Sequence, residues 1–273
     1  MKLDRDTICC ISIAERPGNF GATMLNAAFQ DLHLNYVYKP FRVMAADLED
    51  AIKGIRAFGI RGCGVSMPHK MNVMAYVDVI DDAAKRIGAV NTIVNDNGVL
   101  TGYNTDYEGA KRALKETYDI TGKKALVIGA GGVARAIIVA LKDSGAGEIW
   151  LTNRDETRGR ELANIFFLNY HPFDERSEFR GQLLVNATPV GMPPYTGEMI
   201  IDRKNLIHYD CCMDVVVSPQ ETALIQAMNE LKKSYVPGFK MALYQGMAQC
   251  KLYTGMDAPQ RIIENAINSY FIK

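Results

Sequence analysis

The chain has 273 residues, 48% of them hydrophobic and 23% charged, the make-up of a globular protein long enough for two domains. Lys+Arg and Asp+Glu both number 31, so net charge gives no reason to expect nucleic acid or an anionic membrane as main partner. Its six cysteines form no C-x-x-C pair and no run approaches the roughly 20 apolar residues of a membrane span, which predicts small buried thiols in a cytoplasmic protein.

In chain order, TICCISIA from Thr7 reads as a strand and ATMLNAAFQDLHL from Ala22 as a helix. NYVYKPFRV is extended, and Pro40 suits an edge or a strand end. Leu48 to Phe58 has helical spacing and is broken by Gly59, Gly62 and Gly64. VNTIVNDNGVLTGYN reads as a hairpin whose Asp96-Asn97-Gly98 turn tolerates positive φ. Tyr107 to Thr117 is the next helix. KKALVIGAGGVARAIIVALKDSGAGEIWLTNR is a strand–turn–helix–strand unit, which implies a parallel sheet with right-handed crossovers. QLLVNATPVGM and YDCCMDVVVSP are later strands ending in functional loops. From Lys240 the pattern is helical to the end, with a break at Thr254-Gly255, and these helices are expected to return to the first domain.

Gly129, Ala130, Gly131, Gly132, Val133 and Ala134 fit G-x-G-x-x-G/A between a buried strand and a helix. Gly129 permits the tight turn, Gly131 lets the backbone approach a pyrophosphate, and the helix N-terminus offers free N–H groups to it. The second strand ends in Asn153-Arg154, where an NAD site usually carries an acid for the ribose 2′-hydroxyl. Arg158 follows Arg154 by four, so a helix would place both on one face, able to clamp a 2′-phosphate. NADP is therefore the expected cofactor, and NAD stays open because Asp155 stands between the two arginines.

GVSMPHK (Gly64–Lys70), GAVNTI (Gly88–Ile93), GYNTDYEG (Gly102–Gly109) and GFKMALYQ (Gly238–Gln245) set short polar residues in apolar context. Together with GAGGVARA, NR, NATPVGM and YTG, they run through almost the whole chain and resemble the shikimate/quinate dehydrogenase family. The resemblance implies an α/β fold of two domains. Residues 1–105, with helices of 238–273 returning to them, would bind substrate, and 106–237 would form a Rossmann-like NADP-binding domain. A small hydroxy acid would lie in the cleft, facing the nicotinamide. Lys70 falls at the family's catalytic lysine and Asp106 at its catalytic aspartate. Ser66, Asn91 and Gln245 match substrate contacts, joined there by Lys70 and Asp106. Val215 and Gly238 fall where the family meets the nicotinamide end, and Thr188 near the cofactor.

The chemistry agrees with those types. Oxidising a secondary alcohol removes a proton as hydride leaves, and a lysine beside a carboxylate can share and relay it. Which of the two holds the proton at rest is left open, and a helix cap is a further role for Asp106.

The match departs at two places. The family's two carboxylate-binding serines become Asn19 and Gly21, one amide and one bare backbone, and a substrate-contacting tyrosine becomes Val217. These changes resemble the shikimate dehydrogenase-like branch. They imply slow oxidation of shikimate, or a relative such as quinate or an aminated shikimate, with a nucleotide-binding sensor lacking efficient catalysis as the alternative class. The four histidines are scattered, no metal site is expected, and His69 reads as a solvent-facing turn residue. Ser66 has no His–Asp partners for a hydrolase triad. No coiled-coil or interface signature is present, and a monomer or a homodimer is expected.

Overall fold

β-branched and sulfur-bearing residues of the first strand signal build β1 (Ile8–Ala14), followed by α1 (Phe20–Asp31) and β2 (Tyr36–Arg42). The coordinates are a computed structural model that describes residues 3–271. Two compact units divide the chain: residues up to Glu108 with those from Leu243, and Gly109–Ala242.

The first unit continues with α2 (Leu48–Ala57), β3 (Gly62–Val65), β4 (Val79–Ile80), α3 (Asp82–Ile87), β5 (Thr92–Asp96) and β6 (Val99–Tyr103). Its six-stranded sheet has the order β2-β1-β3-β5-β6-β4. β1 pairs parallel with β2 and β3, whereas β5 runs antiparallel to β3 and β6. β2 lies at the edge, so the missing N–H of Pro40 breaks no internal ladder. Leu48, Ile52 and Ile55, spaced four and three apart, form one apolar face of α2 and join Ile11, Ile13 and Val65 in the core. Asn97 and Gly98 both have positive φ (54° and 93°), the backbone a two-residue hairpin between β5 and β6 needs.

α4 (Thr105–Lys115) leads into the second unit. There follow β7 (Lys124–Ile128), α5 (Gly132–Asp143), β8 (Glu148–Thr152), α6 (Glu156–Ile165), β9 (Asn169–Tyr170), β10 (Leu183–Asn186), β11 (Cys211–Asp214), α7 (Ala223–Glu230) and β12 (Ser234–Val236). All five pairings are parallel and the order is β12-β11-β10-β7-β8-β9. That is the doubly wound dinucleotide-binding arrangement, whose order reverses between β7 and β10. β10 and β11 are buried along their whole length, as parallel strands covered on both faces should be. This places both Cys211 and Cys212 in the interior.

The chain returns through α8 (Gly238–Thr254) and, after Gly255 at φ 76°, α9 (Gln260–Phe271). α9 packs on α1, with the Phe20 and Tyr270 rings edge to face at 5.6 Å. Among the described residues no helix is long and apolar enough to cross a membrane, and no group of His, Cys, Asp and Glu could hold a metal. The six cysteines are free, five of them buried and Cys9 partly so.

Candidate active site

In the first unit, Lys70 and Asp106 meet: Lys70 Nζ donates to Asp106 Oδ2 at 2.5 Å, with side-chain exposures of only 15% and 6%. Backbone fixes both ends. Lys70 follows β3 in a tight turn whose His69 N–H donates to Ser66 O, and its carbonyl accepts from Val90 N at 2.8 Å. Asn104, Thr105 and Asp106 then take three separate tasks. Asn104 Oδ1 accepts from Tyr107 N–H, and its Nδ2 donates to Ala89 O. Thr105 N–H donates to Asn91 Oδ1 at 2.7 Å. Asp106, in the first turn of α4, is left to face Lys70. Asp106 is thus no helix cap; Asn104 has that role, because its oxygen lies where the free N–H points.

Asn91 is buried (1% exposed) and its oxygen also accepts from Thr92 and Thr105 hydroxyls, while its Nδ2 has no partner among the described residues. Ser66 is exposed, and Gln245 is half-buried on α8. Asn19 stands at the N-terminus of α1, where its side chain makes no cap bond and no acid occupies the first turn. A Cβ on Gly21 would lie 3.9 Å from the Tyr38 hydroxyl, so the place of the absent serine has room.

Tyr38 and Gln249 of this unit escaped the motif reading, and Gly64, which opens one motif, has a packing role the motif did not show. Tyr38 is buried, its hydroxyl bonded with Ser12, and burial raises its pKa, which keeps the phenol protonated. Gly64 must be glycine, because a Cβ there would come within 2.5 Å of that hydroxyl. Gln249 is buried and donates to Thr92 Oγ1 at 3.0 Å. Its signal was available, one helical turn beyond Gln245. His69, expected to face solvent, is fully buried; its Nε2 lies 2.9 Å from Val43 O, a partner 26 residues away.

In the second unit the glycine loop sits at the end of β7, at the point where the strand order reverses. Gly129 has φ 119°, and a Cβ there would meet Ala187 O at 2.7 Å, so only glycine allows both the turn and the neighbouring loop. A Cβ on Gly131 would meet nothing within 4 Å, which leaves open space before the loop. Gly132 and Val133 open α5, which has neither a side-chain cap nor an acid in its first turn. Its first N–H groups are therefore left for an anion. Ala130 presents its carbonyl to Arg158 Nε at 3.2 Å.

Past β8, Asn153 Nδ2 donates to Asp155 O, and Asp155 Oδ1 accepts from Arg158 N–H as the cap of α6. The carboxylate that stood against a 2′-phosphate is thus turned to its own helix. Arg154 is exposed. The residues present fit NADP.

A buried network holds the loops beyond β10 and β11. Asp214 (1% exposed) accepts from Asn186 Nδ2 at 3.0 Å, Thr222 Oγ1 at 2.7 Å and Val216 N at 3.1 Å. Burial outweighs these bonds and pushes its pKa up to about 6. Asn186 Oδ1 in turn accepts from the Thr188 hydroxyl at 2.7 Å. Gly238 opens α8 against Val215 and Val216; a Cβ there would stand 2.2 Å from Val216 O. Thr188, Val215 and Gly238 are thus gathered by the ends of β10, β11 and β12, and Val217 is half-buried in the same loop.

Comparison with known proteins agrees with both units. Residues 20–93 match the family model described as the shikimate dehydrogenase substrate binding domain, and 110–187 match that of shikimate / quinate 5-dehydrogenase. A shikimate dehydrogenase (NADP(+)) from Methanothermobacter thermautotrophicus is 37% identical over 253 residues, 89% of each chain. A shikimate dehydrogenase-like protein from Haemophilus influenzae is 36% identical over 266 residues, 97% of each. A crystal structure of a shikimate dehydrogenase in complex with NADP+ superposes with a TM-score of 0.92 at 33% identity, covering 100% of this chain and 98% of its own.

Proposed function

This chain belongs to the shikimate/quinate dehydrogenase family, and from that premise we propose that it is of the shikimate dehydrogenase-like kind, an NADP-dependent oxidoreductase interconverting shikimate, or a close analogue, and 3-dehydroshikimate. The observation that carries the reading is the Lys70–Asp106 pair, shielded from solvent and 2.5 Å across. Bound NADP supplies the hydride acceptor. As the carbinol C–H electron pair leaves with its hydrogen, the hydroxyl proton passes to the Lys70–Asp106 pair, to Lys70 as the free amine or through it to the carboxylate, and the C–O bond becomes a carbonyl. Asp106 holds the lysine in place and shares the charge.

The unpaired Nδ2 of Asn91 supports a role in donating to a substrate hydroxyl, together with Ser66 and Gln245. The glycine loop and the α5 N-terminus serve the pyrophosphate, and Asn153, Arg154 and Arg158 the adenosine ribose and its phosphate. Thr188, Val215 and Gly238 serve the nicotinamide end. Asn19 and Gly21 offer the substrate carboxylate one amide and backbone only. Each missing charged hydrogen bond is worth roughly 1.5–3 kcal/mol, about ten- to a hundredfold, so shikimate is turned over slowly. The free thiols suit the cytoplasm, and we expect a monomer or a homodimer.

The test is reduced-nicotinamide absorbance with shikimate and with quinate, each with NADP+ and NAD+, with Lys70→Ala as control. Lys70-dependent reduction of NADP+ by shikimate supports the reading. NADP+ binding without turnover of either acid would point to a different substrate or a non-catalytic role.

A further inference from the structure

Arg135, in the first turn of α5, follows the G-x-G-x-x-A core of the GAGGVARA motif and has been given no role above. Its backbone N–H donates to Gly131 O at 3.2 Å, at the mouth of the glycine loop. Its half-buried side chain lies along Phe166, with Cζ 6.0 Å from the ring centre, and its Nε is buried without a hydrogen-bond partner. The charge that bears on it is another cation, Arg158; burial and that repulsion both lower its pKa. Arg158 is held over the same loop by its bond to the Ala130 carbonyl. The two acids just before Arg158 are engaged elsewhere: Asp155 caps the N-terminus of α6 and Glu156 pairs with Arg160. Two guanidinium groups thus flank the glycine loop, one of them partly desolvated, with no carboxylate acting on Arg135. Like charges brought together in that way disfavour the folded state unless an anion completes them.

A phosphate monoester is the anion that fits. Its three oxygens and near-double charge can take a donor from each guanidinium, whereas the pyrophosphate has the α5 N–H groups. We infer that Arg135 is a further cofactor-binding residue, which with Arg158 holds the 2′-phosphate and so determines the choice of NADP over NAD. The inference rests on the NADP reading above.

Calorimetric titration of the full chain with 2′,5′-ADP and with 5′-AMP tests it without turnover. The wild type should bind 2′,5′-ADP more tightly. Arg135→Met, which keeps the apolar stem against Phe166, should weaken 2′,5′-ADP about tenfold or more, the loss of one charged hydrogen bond, and leave 5′-AMP unchanged. Arg135→Gln, with a polar head and no charge, should do the same, and Arg135→Lys should retain part of the preference. Variants that bind both nucleotides as the wild type does, or lose both by one factor, would overturn the inference while leaving the NADP reading intact. A wild type with no preference for 2′,5′-ADP would sink that reading and this inference with it.

Discussion

Lys70 and Asp106 are brought together by local tasks given to their neighbours: Ser66 closes the turn before the lysine, and Asn104 and Thr105 fix the backbone before the aspartate. A pair held this way should act as one unit in the reaction. Lys70→Ala is expected to lower kcat by about two to four orders of magnitude, the usual range for a proton-transfer group. Its affinity for 2′,5′-ADP, measured by calorimetry, should stay at the wild-type value, because the glycine loop belongs to the other unit. A parallel fall in nucleotide affinity would argue against an assignment to chemistry. Gly238→Ala should behave oppositely. Its Cβ overlaps the Val216 carbonyl, so that loop must move, and overpacking of this kind costs about 1–3 kcal/mol. Thermal melting should show the loss, and NADP+ affinity should fall with it. At this scale the sequence disclosed residues whose neighbours in the chain define them, such as Lys70 after Pro68-His69. It concealed those defined by distant partners: His69 by Val43, Gln249 by Thr92 and Tyr38 by Ser12.

Helix ends show the same division between elements. The 3.6-residue pattern locates the body of α4, but Asn104, Thr105 and Asp106 are all good cap types, and pattern alone does not choose among them. Tertiary structure chooses. Asn91 takes the Thr105 N–H, which leaves Asn104 to cap and frees Asp106 for Lys70. The helix consequently begins at Thr105, two residues before the start read from periodicity. The β5–β6 hairpin was legible because Asn97-Gly98 is itself the turn. Asn104→Ala should lower stability by about 1 kcal/mol, the usual effect of losing a cap, read from the denaturant midpoint. It should also reduce kcat, because Asp106 loses its anchored start, while 2′,5′-ADP affinity remains unchanged. A kcat that stays at the wild-type value would show that Thr105 alone places Asp106.

For the molecule as a whole, the alternation of strand and helix announced a parallel sheet, but not the order in which strands enter it. The reversal between β7 and β10, and the antiparallel turn of β5 within the first sheet, are set by long-range pairing that leaves no local mark. Nor was it readable that Asp214 would be sealed beneath the loops this reversal creates. That burial has a consequence for global stability. The folded-state pKa of Asp214 is about 6, above its ordinary 3.8, so folding favours the protonated carboxyl. Its stabilising contribution is therefore complete below about pH 3.8 and is lost as pH rises to 6 and beyond. The difference of roughly two pKa units corresponds to about 3 kcal/mol. Asp214→Asn has no such titration, so subtracting wild-type from variant unfolding free energies isolates this one group. That difference should shift by about 2 kcal/mol, most of that span, in favour of the variant between pH 4 and pH 7, measured by urea unfolding without nucleotide. Exposed carboxylates held below their usual range, such as Asp78 beside Arg56, act in the opposite direction and at lower pH, and they cancel in the subtraction. A difference that stays flat across this window would mean that the three donors around Asp214 compensate its burial fully.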